Sequence, residues 1–388
     1  MPWDSVHPFE CPTRVFYGWG ASAQVGDRLK ELGVTKALLV SDPGVQGAGI
    51  VDSVARHIEA AGIGVVRYTG VQPNPTVANV EAGQALYVTN RCDGIVGLGG
   101  GSAMDAAKGV GIVASNGGEI VDYTGREQVP MDLPPLVCLP TTCGTGSEVT
   151  FNAVITDEAR HIKLPYVSRK LAPSVALVDP ELVVNAPKVV IASTAADAMA
   201  HAVECWINTQ SDPLIDALTG SAIRMIGQNL AKGVNERDRD AIAQLSLAST
   251  MAGIAFNMNA NAVVHAASTP VTAKHDVPHG VANAIFLPAG LRFCIPAIPA
   301  RIAELGPALG VAIDGLAPED AANRAVDALA ALFALVGLPA TLREFGVDVE
   351  SMDLEGLAAD AMKSRSIPIN PRPVTPDDLI GIYRDVMG

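Results

Sequence analysis

Asp93-Gly94-Ile95-Val96-Gly97-Leu98-Gly99-Gly100-Gly101-Ser102-Ala103-Met104-Asp105-Ala106-Ala107-Lys108 brings three kinds of local structure together in one short run. Asp93 to Leu98 reads as a strand, the glycines as a tight turn, and the residues through Asp105 and Lys108 as a helix. Bare glycines let a backbone approach a pyrophosphate, and the helix N-terminus behind them offers amide donors and a favourable dipole. Taken alone, such a turn also arises for purely geometric reasons. It departs from G-x-G-x-x-G as well, because Gly97 and Gly99 fit but Ser102 stands where the last glycine belongs. Forcing that fingerprint on the chain makes Glu119, about twenty residues on, the ribose-binding acid. That assignment is set aside.

The alternation continues to either side. Lys36 to Ser41 reads as a buried strand, Ile50 to Ala61 as a helix, and Val65 to Tyr68 as another strand. Pro73-Asn74-Pro75 is a turn that opens a helix, and Pro135 to Leu139 is a strand leading into the loop Pro140 to Glu148. Such βαβ succession predicts a parallel sheet with helices on both faces. From Pro187 onward the pattern is helical and rich in Ala and Leu. Ala317 to Leu338 is typical, with Pro318, Glu319 and Asp320 in a first turn and Gly337 and Pro339 closing it. A domain boundary is expected at about 182–187.

Composition narrows the function classes. A chain of 388 residues is long enough for two ordinary domains, and 49% apolar residues argue against disorder. The formal charge of −14 argues against a nucleic-acid surface, which needs clustered Lys and Arg. Met1 to Glu10 lacks the basic, apolar and small-residue succession of a secretory signal, and no run of about 18 apolar residues predicts a membrane span. Six cysteines without paired spacing fit a reducing cytoplasm.

The strongest chemical signal lies in the helical half. Asp197 and His201 are four apart in the Ala-rich stretch Ser193 to Trp206, so they share a helix face. His265 lies in a second helical segment and His279 follows in Pro278-His279-Gly280. One carboxylate and three imidazoles form a sound ligand set for a divalent metal with a position left for substrate, able to polarise a carbonyl oxygen. The other histidines, His7, His57, His161 and His275, form no comparable set. A second signal is Pro140-Thr141-Thr142-Cys143-Gly144-Thr145-Gly146-Ser147-Glu148, where hydroxyls crowd the end of a strand, as at nucleotide sites of open α/β sheets.

The glycine run, the Pro140 to Glu148 loop, Asp197-x-x-x-His201 and the segment His265 to Pro288 together resemble the iron-dependent (group III) alcohol dehydrogenases, in the right order along nearly the whole chain. The resemblance implies an N-terminal α/β dinucleotide-binding domain with a parallel sheet (1–185) and an all-helical metal-binding domain (186–388). It implies metal ligands at Asp197, His201, His265 and His279. It implies cofactor contacts at Asn74, Gly100, Gly101, Ser102, Thr141 and Thr142, with Thr145, Lys163 and Leu182 as further contacts. The metal is then Fe²⁺ or Zn²⁺, and the reaction is reversible hydride transfer between a nicotinamide and a small alcohol/aldehyde or ketone pair. A homodimer is expected from the family alone. By the same resemblance Asp42, just after the first buried strand, falls where family members place an acidic residue against the adenosine ribose, which would repel a 2′-phosphate and favour NAD over NADP; it also suits a turn before Pro43-Gly44.

Asp105, Lys108 and Glu148 belong to the motifs without a catalytic role, the first two being expected to stabilise the first turns of their helix and Glu148 to orient the threonine loop. Two positions depart from the family. Thr269 stands where many members carry a proton-relaying histidine, so either Thr269 through water or the nearby His275 is expected to move the proton. Cys143 replaces a small residue. The substrate pocket is expected around Phe151, Met258 and Phe286. The rival readings are a dehydroquinate-synthase-like lyase, for which only Lys274 and Arg292 supply nearby basic groups, and a maleylacetate-reductase-like enzyme.

Overall fold

The computed structural model describes Val6, residues 8–160 and residues 162–388. His7, His161 and most of the N-terminal stretch Met1 to Glu10 lie outside the described residues. The chain forms two compact units, residues 10–186 and 187–388.

The first unit is built on a six-stranded parallel sheet. Its strands are β1 (Arg14–Tyr17), β2 (Lys36–Val40), β3 (Gly64–Tyr68), β4 (Gly94–Gly99), β6 (Leu136–Pro140) and β9 (Val175–Val178), in spatial order β1-β9-β6-β4-β2-β3. A smaller sheet pairs β5 (Gly125–Arg126) in parallel and β7 (Asn152–Asp157) antiparallel to β8 (Ile162–Val167). Alternate residues of the central strands feed opposite layers. Leu38, Val40 and Ile95 pack with Val80, Met104 and Val110 on one side. Leu39, Val96 and Leu98 pack with Leu29, Val54 and Ile58 on the other. These layers are the helices α1 (Val25–Glu31), α2 (Pro43–Gly47), α3 (Ile50–Ala60), α4 (Val77–Thr89) and α5 (Gly101–Asn116). Both faces being covered, the strands read as continuous apolar runs.

Strand order reverses at β2, which is flanked by β3 on one side and β4 on the other. That topological switch point opens a crevice beyond the carboxyl ends of β2 and β4, where ligands of such sheets bind. Asp42 follows β2 directly, and the glycine turn follows β4. The strand β1, the β7–β8 hairpin and β9 were not foreseen from sequence.

The second unit is helical throughout its described residues. Its long members are α6 (Lys188–Ile207), α7 (Pro213–Asn235), α8 (Arg239–Met258), α9 (Val263–His275), α10 (His279–Cys294) and α13 (Pro318–Leu335), with shorter helices α11 (Pro299–Ala303), α12 (Leu305–Ala308), α14 (Leu342–Phe345), α15 (Leu354–Ala361) and α16 (Pro376–Met387). Helix α8 is long and apolar enough on average to cross a membrane, though polar residues interrupt it; it packs on α6 and α7 and over half of it is buried within the unit. No disulfide joins the described residues.

Candidate active site

Helix α6 is Ala-rich, so it is a strong helix former with a low-relief surface against which other backbones pack closely. Gly280, in the first turn of α10, exploits this. A Cβ there would stand 2.2 Å from the Ser193 carbonyl oxygen of α6 and 3.4 Å from Asp197 Cβ. The close approach carries His279 to Asp197. Helix α9 adds His265. Asp197 Oδ1 lies 3.7 Å from His279 Nε2, 3.8 Å from His265 Nε2 and 3.9 Å from His201 Nε2.

Asp197, His265 and His279 each offer a ligand atom, all within 4.8 Å of one another, and His201 joins them through the same carboxylate oxygen. The His201 ring stacks on Phe256 at 4.7 Å and on His265 at 4.6 Å. One carboxylate oxygen facing three imidazole nitrogens from three helices is a donor set that fits a divalent metal. Burial by itself pushes the Asp197 carboxyl up, but the charges of His201, His279 and His265 and the Asn283 amide outweigh it, holding the carboxyl below its ordinary value.

Two bracing residues were missed from sequence. Glu204 is wholly buried, and its Oε1 accepts hydrogen bonds from the amides of Ala262 (2.9 Å), Val264 (2.7 Å) and His265 (3.3 Å). Its Oε2 accepts from the His265 amide at 3.3 Å and meets the His265 ring at Nδ1. Helix α9 has no side-chain cap of its own, so Glu204 supplies acceptors for its orphan amides. Asn283, also buried, donates from Nδ2 to Asp197 Oδ1 at 2.7 Å and lies 3.0 and 3.1 Å from Nε2 of His265 and His279. Ser268 donates to its Oδ1 at 2.5 Å. The spacing held a signal for each: Glu204 lies three residues beyond His201 on the same face of α6, and Asn283 four residues beyond His279.

In the α/β unit, the glycine turn and the threonine loop pack on each other. The Thr141 amide donates to the Gly99 carbonyl at 3.0 Å. Gly99 has φ +151°, and a Cβ at Gly101 would meet Thr145 Cγ2 at 2.8 Å. A Cβ at Gly100 would lie 3.4 Å from Thr142 Cγ2. Ser102 follows in the first turn of α5, half-buried. The bare backbone and the helix start fit a cofactor pyrophosphate. Asp42 caps α2, its Oδ1 accepting from the Gly44 and Val45 amides at 2.8 and 3.0 Å. Its Oδ2 stands 3.1 Å from where a Gly99 Cβ would be, so the turn-capping carboxylate also faces the glycine turn. Asn74 adopts φ +56° and accepts from Lys163 Nζ at 3.0 Å, joining two of the expected cofactor positions. Leu182 is buried in the core cluster that holds Leu98 and Leu177.

Several expectations need revision. Lys108 does not serve the first turns of α5. It is fully buried, and its Nζ donates to Ser147 Oγ (3.0 Å), the Thr150 carbonyl (3.0 Å), Thr150 Oγ1 (3.2 Å) and the Asn152 carbonyl (2.8 Å). Asp105 accepts from Ser147 Oγ at 2.8 Å and the Val154 amide at 2.9 Å. Together they moor the segment after the threonine loop. Burial pushes the Lys108 ammonium down and the Asp105 carboxyl up, each resisted by the other's charge. Phe286 is fully buried with its ring against Tyr383, so it is core rather than pocket wall. Thr269, one turn past His265, donates to the His265 carbonyl at 2.7 Å. His275 ends α9, ten residues or about 15 Å of helix axis from His265.

The chain matches the family described as iron-containing alcohol dehydrogenase over residues 12–180, and the C-terminal part of the Fe-containing alcohol dehydrogenase family over 191–387. The chain belongs to the iron-containing alcohol dehydrogenase family. It is 37% identical to the NAD-dependent methanol dehydrogenase of Bacillus methanolicus, with 98% of this chain and 99% of that one covered. It is 40% identical to the 1,3-propanediol dehydrogenase of Citrobacter freundii, covering 96% and 97%. The crystal structure of a 1,3-propanediol oxidoreductase superposes with a TM-score of 0.96 at 37% identity, over 99% of this chain and 100% of that one. As a family member the chain is an oxidoreductase acting on CH–OH groups, an alcohol dehydrogenase or aldehyde reductase, with an α/β N-terminal half and a helical C-terminal half.

Proposed function

We propose that this alcohol dehydrogenase interconverts small primary alcohols and aldehydes with NAD, using Fe²⁺ held by Asp197, His201, His265 and His279, as a cytoplasmic homodimer. The observation that carries the reading is the convergence of three imidazole Nε2 atoms within 3.9 Å of one carboxylate oxygen. Mixed oxygen and nitrogen donors suit Fe²⁺ and also accept Zn²⁺. Relatives named for methanol and 1,3-propanediol support small primary alcohols as substrates. Buried cysteines outside any disulfide support a reducing compartment, and the acidic charge supports the absence of a nucleic-acid partner.

When bound, the metal supplies a Lewis acid for the substrate oxygen and the nicotinamide gives or takes the hydride. Asp197 contributes the anionic ligand, aimed by the Asn283 amide. The Gly99–Gly101 backbone receives the pyrophosphate, and Asp42 receives the ribose hydroxyls while repelling a 2′-phosphate. Thr269 lies one turn from His265, whereas His275 lies about 15 Å along the axis, so the substrate proton leaves past Thr269 through water rather than through His275. Lys274 is paired with Asp360 at 2.7 Å and Arg292 with Asp327 at 2.5 Å, which leaves the phosphate-handling lyase without its basic groups.

The test is reduction of small aldehydes by metal-stripped protein reloaded with Fe²⁺ or Zn²⁺, with NADH and NADPH in parallel. Recovery with Fe²⁺ and NADH is expected. Equal rates with NADPH would remove the Asp42 role, and a rate independent of added metal would remove the metal role.

A further inference from the structure

We infer that Glu204 selects the tautomer in which His265 can bind a metal. The inference rests on the metal reading above and names a positioning residue for it. A neutral imidazole carries its proton on one nitrogen and its lone pair on the other, and only the lone pair can ligate. The neighbours of His265 agree on the assignment from both ends of the ring. At Nδ1 stands Glu204 Oε2, a carboxylate oxygen that only accepts. At Nε2 stands Asn283 Nδ2, 3.0 Å away. That atom must be the amide nitrogen, because the same atom lies 2.7 Å from Asp197 Oδ1, itself an acceptor. The proton therefore sits on Nδ1, and the Nε2 lone pair faces Asn283 Nδ2, which Asp197 Oδ1 and His279 Nε2 also approach.

Glu204 is held in this role by the backbone. Its Oε1 accepts the amides of Ala262, Val264 and His265, so the carboxylate cannot turn without stranding buried N–H groups. One charge thus both caps α9 and orients the ring of a candidate ligand on that helix.

This arrangement makes Glu204→Gln a sharp test. The amide oxygen must take the Oε1 place, since an NH₂ there would face the Ala262 and Val264 donors. The NH₂ group is then forced against His265 Nδ1, which must accept. The imidazole proton moves to Nε2, and the lone pair that would ligate is lost. Carboxylate partners of metal-bound histidines typically govern affinity by about 10–100-fold.

The experiment is competition of Zn²⁺ between a chelating indicator and metal-stripped wild-type, Glu204→Gln and His279→Ala proteins, alongside thermal melting of each metal-free form. The expected result is a Glu204→Gln protein that melts cooperatively yet binds Zn²⁺ at least about tenfold more weakly than wild type. A folded Glu204→Gln protein with wild-type affinity would overturn the inference while leaving the metal site intact. Wild-type protein that binds no better than His279→Ala would instead remove the metal reading itself. Should Glu204→Gln not fold, the ¹⁵N resonances of histidine-labelled, metal-free wild type decide. A protonated Nδ1 on His265 supports the inference, and a protonated Nε2 overturns it.

Discussion

The two units make their sites from opposite materials. In the α/β unit the candidate site is mostly backbone: a glycine turn, a helix start and a loop of small hydroxyl residues packed against it. In the helical unit it is side chains: one carboxylate and three imidazoles on α6, α9 and α10. A backbone site is specified by what is missing, since any Cβ on Gly101 meets Thr145. A side-chain site is specified by what is present and by the groups that aim it. Losing one ligand should therefore damage the helical site by orders of magnitude, whereas the backbone site should yield in smaller steps.

The largest effect is expected from Asp197→Ala. It removes the oxygen against which all three imidazoles are placed, and Lewis-acid activation is worth several kcal/mol. Metal-dependent aldehyde reduction should fall on the order of a thousandfold. NADH affinity, followed by fluorescence, should change by less than about twofold if the two sites are independent. A comparable loss of NADH binding would break the comparison.

Lys108→Met is the counterpart in the α/β unit. The ammonium meets four acceptors, three of them buried, and its removal also leaves Asp105 without a compensating charge. Breaking such a buried group from its partners costs about 3–5 kcal/mol, read as a lowered midpoint in urea. Because Ser147 and Thr150 are released, NADH should bind more weakly while Zn²⁺ stoichiometry stays the same. Unchanged NADH affinity would show that the mooring does not reach the threonine loop.

Two glycines sharpen the contrast. At Gly280 an added Cβ meets a backbone carbonyl oxygen at 2.2 Å, which cannot step aside without moving α6 or α10. At Gly101 it meets the Thr145 side chain at 2.8 Å, which can rotate. Overpacking of this kind costs about 1–3 kcal/mol, so Gly280→Ala belongs at the upper end with a loss of metal affinity, and Gly101→Ala at the lower end with a loss of NADH affinity. Parallel urea titrations and ligand titrations of both variants check the order.

Legibility in the sequence follows the same division. The clustered histidines were readable as candidate ligands because their residue type and spacing suit a metal, and Asp197 and His201 share a helix face by periodicity alone. The strands β2, β3, β4 and β6 were readable as apolar runs. Glu204 and Asn283 share helix faces with His201 and His279, but that spacing does not state their roles, because the partners that define those roles are a helix terminus more than fifty residues away and Asp197 on another helix. Lys108 looked like a helix residue for the same reason: its partners lie at Ser147, Thr150 and Asn152. Strand β1 is four residues long with none fully buried, and the β7–β8 hairpin alternates buried with more exposed residues, each a weaker signal than the buried central strands.

The smallest expected effect tests whether the start of the decisive stretch is scaffold alone. Asp93 accepts from the Thr35 amide and hydroxyl and from the Lys36 amide, tying the entry of β4 to that of β2. Partial burial opposes its ionisation, but these hydrogen bonds prevail and hold the carboxyl below its ordinary value. A lowered folded-state pKa stabilises the fold above the unfolded value near 4, and that contribution disappears as pH falls through the folded value. Asp93→Asn should therefore melt slightly below wild type at pH 7, and the two curves should converge below about pH 4. A gap constant from pH 7 to pH 2 would mean that the charge contributes nothing and the hydrogen-bond geometry everything. Zn²⁺ and NADH binding should be unaffected at pH 7, since Asp93 lies at the amino end of β4 while the glycine turn lies at its carboxyl end.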